Sequence, residues 1–183
     1  LGTALDMDVV AWDRTGEQDG AASADGRPGP GGVVLLPLSA VLATADVVSV
    51  HLRLSEWSRG LLGREQLNAM KPGAVLVNTA RGAIVDEHAL VDVLRAGPLA
   101  AAGLDVFADE PLAPEHPLRA LPNAVLTPHL GWTVEEVFAE AASIAADQLE
   151  DYLGGRLDPA ELLDPDVVPA DGAAGGLREA SYR

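Results

Sequence analysis

The sequence predicts an α/β fold built on a parallel sheet, and three observations carry that prediction. Short apolar runs alternate with helix-forming stretches along most of the chain. Those runs, such as VVSVHL (47–52) and AVLVNTA (74–80), are continuously apolar and not alternating, the pattern of strands covered on both faces. Helix signals stand between them: DEHALVDVLRAG (86–97) opens on acids and closes on arginine and glycine, as the helix dipole and the C-cap prefer.

Each element follows in chain order. MDVVAWD (7–13) is a β-rich run ending on an acid. Residues 14–32 are rich in glycine, proline, serine and aspartate without an apolar period, and read as a long flexible loop. PLSAVLATAD (37–46) reads as a short helix, with proline ahead of a Ser39 cap. VVSVHL is a strand, GREQLNAM (63–70) a helix and AVLVNTA a strand. After the helix at 86–97, AAGLDVF (101–107) and NAVLTP (123–128) are strands. TVEEVFAEAASIAADQLEDYLGG (133–155) is the longest helix, with a Thr133 cap, Glu136 three residues on and a Gly-Gly stop. From Arg156 onward proline, aspartate and glycine accumulate without pattern, so residues 156–183 read as an extended or disordered tail.

Composition narrows the function classes. A chain of 183 residues, 48% of them hydrophobic, suffices for one domain with a real core. Its net charge of −16 repels nucleic-acid phosphates and anionic lipid, which argues against both partners. No apolar run approaches the ~20 residues of a membrane span, and a cytoplasmic home is the default. With no cysteine, thiolate metal sites and a cysteine nucleophile are excluded. No histidine has metal-ligand spacing to another, so no metal is expected. The chain opens Leu1-Gly2-Thr3 without an initiator methionine, which suggests a processed product or a fragment.

In open parallel sheets ligands bind at the carboxyl ends of the strands. What stands there in this chain is Asp13, His51, Arg81, Asp105 with Glu110 a few residues on, and His129. Asp13 is either a carboxylate for an adenosine ribose or an ordinary turn aspartate. Arg81 either grips a carboxylate, with charge-assisted bonds worth roughly 1.5–3 kcal/mol each, or forms a salt bridge to Asp86 or Glu87. A histidine held by a carboxylate can deliver a proton as a general acid. That is one reading of His129 with Glu110, and a backbone-bonded loop histidine is the other. Asp105 could equally be a strand-end cap. His51 reads as a packing residue at a loop start, His88 as an exposed helix residue and His116 as a loop cap.

Together the segments VVAWDR, LSAVLATADVVSVHLRLSEWSRGLLG, LNAMKPGAVLVNTARGAIVDEHALVDVLRAG, AAGLDVFADEPL and LPNAVLTPHLGWTVEE resemble the NAD-binding domain of the D-isomer-specific 2-hydroxyacid dehydrogenases. The resemblance covers about residues 1–155. It implies a Rossmann-like doubly wound sheet and an oxidoreductase that interconverts 2-keto and D-2-hydroxy acids. Arg81 would bind the substrate carboxylate, His129 would be the acid/base and Glu110 its partner. Asp13 would bind the ribose and Asp105 the nicotinamide carboxamide. Leu52, Thr79, Ala80 and Gly131, with Arg81 and His129, would line the cofactor. The implied full-length enzyme is a homodimer.

Departures from the family's pattern matter too. Its G-x-G-x-x-G loop and first strand should precede residue 1, making residues 1–155 an NAD-binding domain truncated at its N-terminus. The expected place of that strand is between 7–13 and 47–52 or 74–80, so residues 1–183 alone are expected to fold poorly and bind NAD weakly. The family's usual proline after His-Leu is Arg53 here, and the 14–32 loop replaces a shorter stretch. Arg14 beside Asp13 leaves NADP open, although the carboxylate would repel a 2′-phosphate. Two other readings stand beside the enzyme: a non-catalytic NAD-sensing interaction protein of corepressor type, and an inactive fragment.

Overall fold

The computed structural model describes residues 2, 6–14 and 26–156. The chain divides into two compact units, Leu1–Gly131 and Trp132–Arg183.

The described residues of the first unit form two sheets. In the smaller, β1 (Val10–Ala11), β2 (Arg27–Pro28) and β3 (Val34–Leu35) lie in the order β1-β3-β2, with β1 parallel and β2 antiparallel to β3. Helix α1 (Leu38–Thr44) leads into the larger sheet. That sheet consists of β4 (Val47–Val50), β5 (Val75–Asn78), β6 (Ala101–Leu104) and β7 (Ala124–Leu126), all parallel and in sequence order. Parallel neighbours need crossover connections. Helix α2 (Arg64–Asn68) supplies the first and α3 (Glu87–Ala96) the second. In the register Val50 pairs with Asn78 and Asn78 with Leu104, so three carboxyl ends finish level on one edge.

Period-two alternation decides what these strands bury. Val48, Val50, Leu76, Ala102 and Leu104 point into one core with Leu67 of α2 and Ala89, Leu90, Val93 and Leu94 of α3. The other face is less covered than continuous apolar runs suggest. Among the described residues Val47 is 47% and Val125 69% exposed, and the remaining outward positions of β5 and β6 are half-buried. A run of valines fits either a doubly covered strand or a singly covered one, because valine favours the pleat itself.

Other expectations need correcting. Pro37, not Ser39, is the N-cap of α1, and no side chain caps it. The segment 14–32 is not loop throughout. Residues 15–25 lie outside the described part, but the chain then forms β2 and a 3₁₀ turn at Pro30–Gly32. Gly26, Gly31 and Gly32, at φ of 77°, 66° and 80°, let it double back without the strain other residues would carry. The strands are shorter than their apolar runs, since a ladder ends where partners end. Among the described residues β1 and β4 each have a strand on one edge only, and they are not paired to each other.

The second unit is described through helix α4 (Glu135–Leu153), whose N-cap is Val134 and not Thr133, again without a side-chain cap bond. Within it Trp132 packs on Phe138 at 5.0 Å between ring centroids. Of the tail expected at 156–183, Arg156 is described and pairs with Asp151 at 3.0 Å; residues 157–183 lie outside the described part. No helix among the described residues is long and apolar enough to cross a membrane.

Candidate active site

The turn after β5 explains how an arginine is delivered to the sheet edge. Asn78, 1% exposed, ends that strand. Its Oδ1 accepts from the Ala80 N–H at 3.1 Å and its Nδ2 donates to the Arg81 carbonyl at 3.0 Å, which closes the turn. Arg81 leaves it exposed and extended, with Nη1 donating to the Ala80 carbonyl at 2.6 Å. Neither acid proposed as its salt-bridge partner takes it. Asp86 caps α3 through the Ala89 N–H at 3.0 Å. Glu87 accepts from the Ala108 N–H at 2.6 Å and lies 3.4 Å from His116 Nε2. Arg81 makes no ion pair among the described residues, which leaves its fork available for an incoming carboxylate.

The loop after β6 carries the acid partner. Glu110 Oε2 meets His129 Nδ1 at 2.8 Å, and its Oε1 accepts from the Phe107 N–H at 2.9 Å. The bond from His129, then the Phe107 N–H, hold the Glu110 carboxyl below its usual range against the opposing effect of burial. The charges of His129 and Arg81 add to that lowering, so the arginine is near enough to be felt. With Nδ1 engaged by an ionised carboxylate, Nε2 is the nitrogen left to exchange a proton with a ligand. A cleft of about 440 Å³ opens beside the pair, lined by Glu110, His129 and Thr127 with Leu112, Arg119 and Leu126.

His129 sits at φ 56°, a left-handed conformation that costs a non-glycine residue of order 1–3 kcal/mol. Asp105 holds it there. This aspartate, 6% exposed, accepts from the Thr127 hydroxyl and the Leu130 N–H (2.8 Å) on one oxygen and from the Gly131 N–H (2.8 Å) on the other. Burial raises its carboxyl, but the three donors together with the charge of His129 outweigh burial and keep it below the usual range. The residues on either side of His129 are thus fastened to one carboxylate.

The remaining candidates lie along the same edge or at β1. Thr79 is exposed, Ala80 and Leu52 are half-buried, and Leu52 packs on the core. Asp13, past the end of β1, receives Nη2 of Arg27 on both oxygens at 2.7 and 2.8 Å. Arg14 is directed elsewhere, its guanidinium 5.1 Å above the Trp57 ring. Trp12 meets the same Trp57 edge-on at 6.2 Å, which brings the end of β1 beside the loop that follows β4. The Asp13 carboxylate, the level strand ends and the loop-held Asp105 are the kinds of group that stand where open α/β sheets hold a dinucleotide. Among the histidines outside the pair, His88 is exposed and His116 caps a 3₁₀ turn through the Leu118 N–H. His51 is exposed and bonded to Ser49 at 2.8 Å, not packed as its sequence context suggests. Among the described residues no group of acids and histidines could hold a metal ion.

Sequence reasoning passed over Asn78, Thr127 and Arg27. Only Asn78 left a usable signal: an amide inside an apolar strand run must find partners if buried. Thr127 and Arg27 act on partners far away in the chain.

Comparison with known proteins agrees with this geometry. Residues 1–131 match the family model described as D-isomer specific 2-hydroxyacid dehydrogenase, NAD binding domain. A glyoxylate reductase of Aeropyrum pernix is 46% identical over 131 residues, 72% of this chain and 39% of that protein. A D-3-phosphoglycerate dehydrogenase of Archaeoglobus fulgidus is 36% identical over 168 residues, 92% of this chain and 31% of that protein. The crystal structure of the TT0316 protein of Thermus thermophilus superposes with a TM-score of 0.75 at 46% identity, covering 86% of this chain and 46% of that one. The chain therefore spans about two fifths or less of the length of these curated relatives. With its model matched over residues 1–131, the chain belongs to the D-isomer specific 2-hydroxyacid dehydrogenase family and contains sequence of that family's NAD-binding domain.

Proposed function

We propose that this protein is an NAD-dependent oxidoreductase that interconverts a 2-keto acid and a D-2-hydroxy acid. The observation that carries this reading is the His129–Glu110 contact at 2.8 Å, with the Arg81 guanidinium, which makes no ion pair among the described residues, adding its charge to the groups that lower the Glu110 carboxyl. Arg81 binds the substrate carboxylate through two parallel bonds and so presents the 2-carbon to His129. In the direction of reduction His129 Nε2 donates a proton to the keto oxygen, and in oxidation it removes the hydroxyl proton. Glu110 stays ionised, fixes the ring through Nδ1 and stabilises the charged imidazole. Bound NADH supplies the hydride. Asp13 holds the adenosine ribose and Asp105 the carboxamide, while Leu52, Thr79, Ala80 and Gly131 line the cofactor. A carboxylate has about four acceptor positions, so Asp105 can hold its loop and still receive an amide. The named activity of the Aeropyrum pernix relative points to small 2-keto acids such as glyoxylate as the first to try. A homodimer in the cytoplasm completes the reading.

The test is turnover of a panel of 2-keto acids by the full-length protein with NADH, beside its His129→Ala variant. Reduction that depends on His129 supports the proposal. NADH binding without turnover on any keto acid would instead favour a sensing role.

A further inference from the structure

One carboxylate holds both ends of the loop that carries Glu110. Glu87 opens α3, where the helix dipole favours an acid, and its side chain is 14% exposed. Its Oε1 accepts from the Ala108 N–H at 2.6 Å, and its Oε2 lies 3.4 Å from His116 Nε2. His116, 19% exposed, caps the 3₁₀ turn Pro117–Ala120, its Nδ1 accepting from the Leu118 N–H at 3.3 Å. A ring that accepts on Nδ1 carries its proton on Nε2, the nitrogen facing Glu87. Leu118 is fully buried, so this turn is anchored in the core. Ala108 and His116 are thus fixed to the first turn of α3, and Glu110 lies between them.

The route from Glu87 to the His129–Glu110 pair is short. Glu87 binds the Ala108 N–H, and the N–H of the residue before it, Phe107, donates to Glu110 Oε1 at 2.9 Å. The other Glu110 oxygen meets His129 Nδ1 at 2.8 Å. We propose that Glu87, braced by His116, is a positioning residue for the reaction: by pinning both ends of the loop it keeps Glu110 against His129 Nδ1. The proposal rests on the dehydrogenase reading above. A glutamine at position 87 keeps one acceptor oxygen, and so can serve one end of the loop but not both. Asp86, one residue earlier, caps α3 through the Ala89 N–H and supplies an internal comparison.

The experiment is the pH profile of kcat/KM for reduction of glyoxylate, hydroxypyruvate and pyruvate with NADH by the full-length protein. The charged groups felt at Glu110 are His129 and Arg81, and none of the substitutions replaces either. Glu87→Gln lowers kcat by about tenfold, short of the roughly 10²–10⁴ expected on losing the acid itself. It also moves the alkaline limb to lower pH, because the imidazolium loses the carboxylate that stabilises it. Added to Glu110→Gln, it moves the limb no further, since the two residues act in one line. His116→Asn moves the limb the same way by less. Asp86→Ala lowers the melting temperature and leaves the limb in place. In the protein without coenzyme, amide hydrogen exchange at Phe107 and Ala108 quickens in Glu87→Gln while that of β5 does not. A Glu87→Gln limb superimposable on wild type, or one displaced equally by Asp86→Ala, overturns the proposal and leaves the dehydrogenase reading standing. If Glu87→Gln fails to fold, an unmoved limb in His116→Asn overturns it. A wild-type protein that reduces none of the three acids overturns both.

Discussion

Gly82 lies directly beneath Phe107: a β-carbon on Gly82 would stand 1.9 Å from the Phe107 carbonyl carbon and 2.4 Å from the Ala108 nitrogen. The turn that carries Arg81 and the loop that carries Glu110 are therefore in backbone contact. Glu87 reinforces the join by accepting from the Ala108 N–H at 2.6 Å. The space beside the glycine after Arg81 is filled by the chain itself.

Gly82→Ala is accordingly expected to force these two segments apart. Overpacking against backbone, which has no rotamer to yield, costs about 1–3 kcal/mol or more. Thermal unfolding should register the loss. Turnover should fall with it, because Arg81 and Glu110 separate. A variant with wild-type melting temperature and turnover would show that the loop moves aside freely.

The contact between His129 and Glu110 gives a second prediction. His129→Ala should lower turnover by roughly 10²–10⁴, the range of general acid catalysis. Glu110→Gln should mainly move the pH profile of kcat/KM, since the ring keeps its place but loses the charge that stabilises imidazolium. The Glu110 carboxyl is depressed below its usual 4.5 in the fold. Its contribution to stability is thus present above that value and lost as pH falls through the lowered one. Acid unfolding of Glu110→Gln should lack this step, and a titration superimposable on wild type would argue against it.

Asp105→Asn tests the clamp on the His129 loop. An amide nitrogen in place of one oxygen faces a donor, either the Gly131 N–H or the Thr127 hydroxyl and Leu130 N–H. Leaving a buried group unpaired costs about 1–3 kcal/mol. The variant should unfold earlier near neutral pH and lose turnover as His129 relaxes from its left-handed conformation. The sign with pH follows from the depressed carboxyl: the wild-type advantage exists above the usual 3.8 and disappears as pH falls through the lowered value. Equal melting temperatures at pH 7 would remove this assignment.

Arg81→Lys should raise KM for keto acids and lower kcat, because an ammonium cannot reproduce a planar two-point grip. Asn78→Ala should raise KM as well, but with a loss of about 1–3 kcal/mol in stability, since the Ala80 N–H and Arg81 carbonyl both lose their partner. Keto-acid kinetics with parallel unfolding curves separate the two effects. Wild-type KM in Arg81→Lys would make the arginine structural.

Local sequence specifies the parallel sheet, the order of its strands and helices from residue 37 onward, and the set of strand-end residues from which a site could be built. Those features are local: an apolar run, a cap or a proline acts within a few residues, and strand ends are where open sheets place ligands. The family-matching motifs added roles that no single residue type could carry. Which of those residues meet is settled by packing between distant parts of the chain. Neither Asp86 nor Glu87 takes Arg81, because Asp86 caps a helix and Glu87 holds Ala108. Asp105 clamps the His129 loop through Thr127, Leu130 and Gly131, more than twenty residues along the chain. Arg27, and not Arg14, takes Asp13, because an antiparallel strand returns from a segment whose composition shows no period at all. Such contacts are set by where distant backbones are brought together in packing, and local propensity carries no record of that.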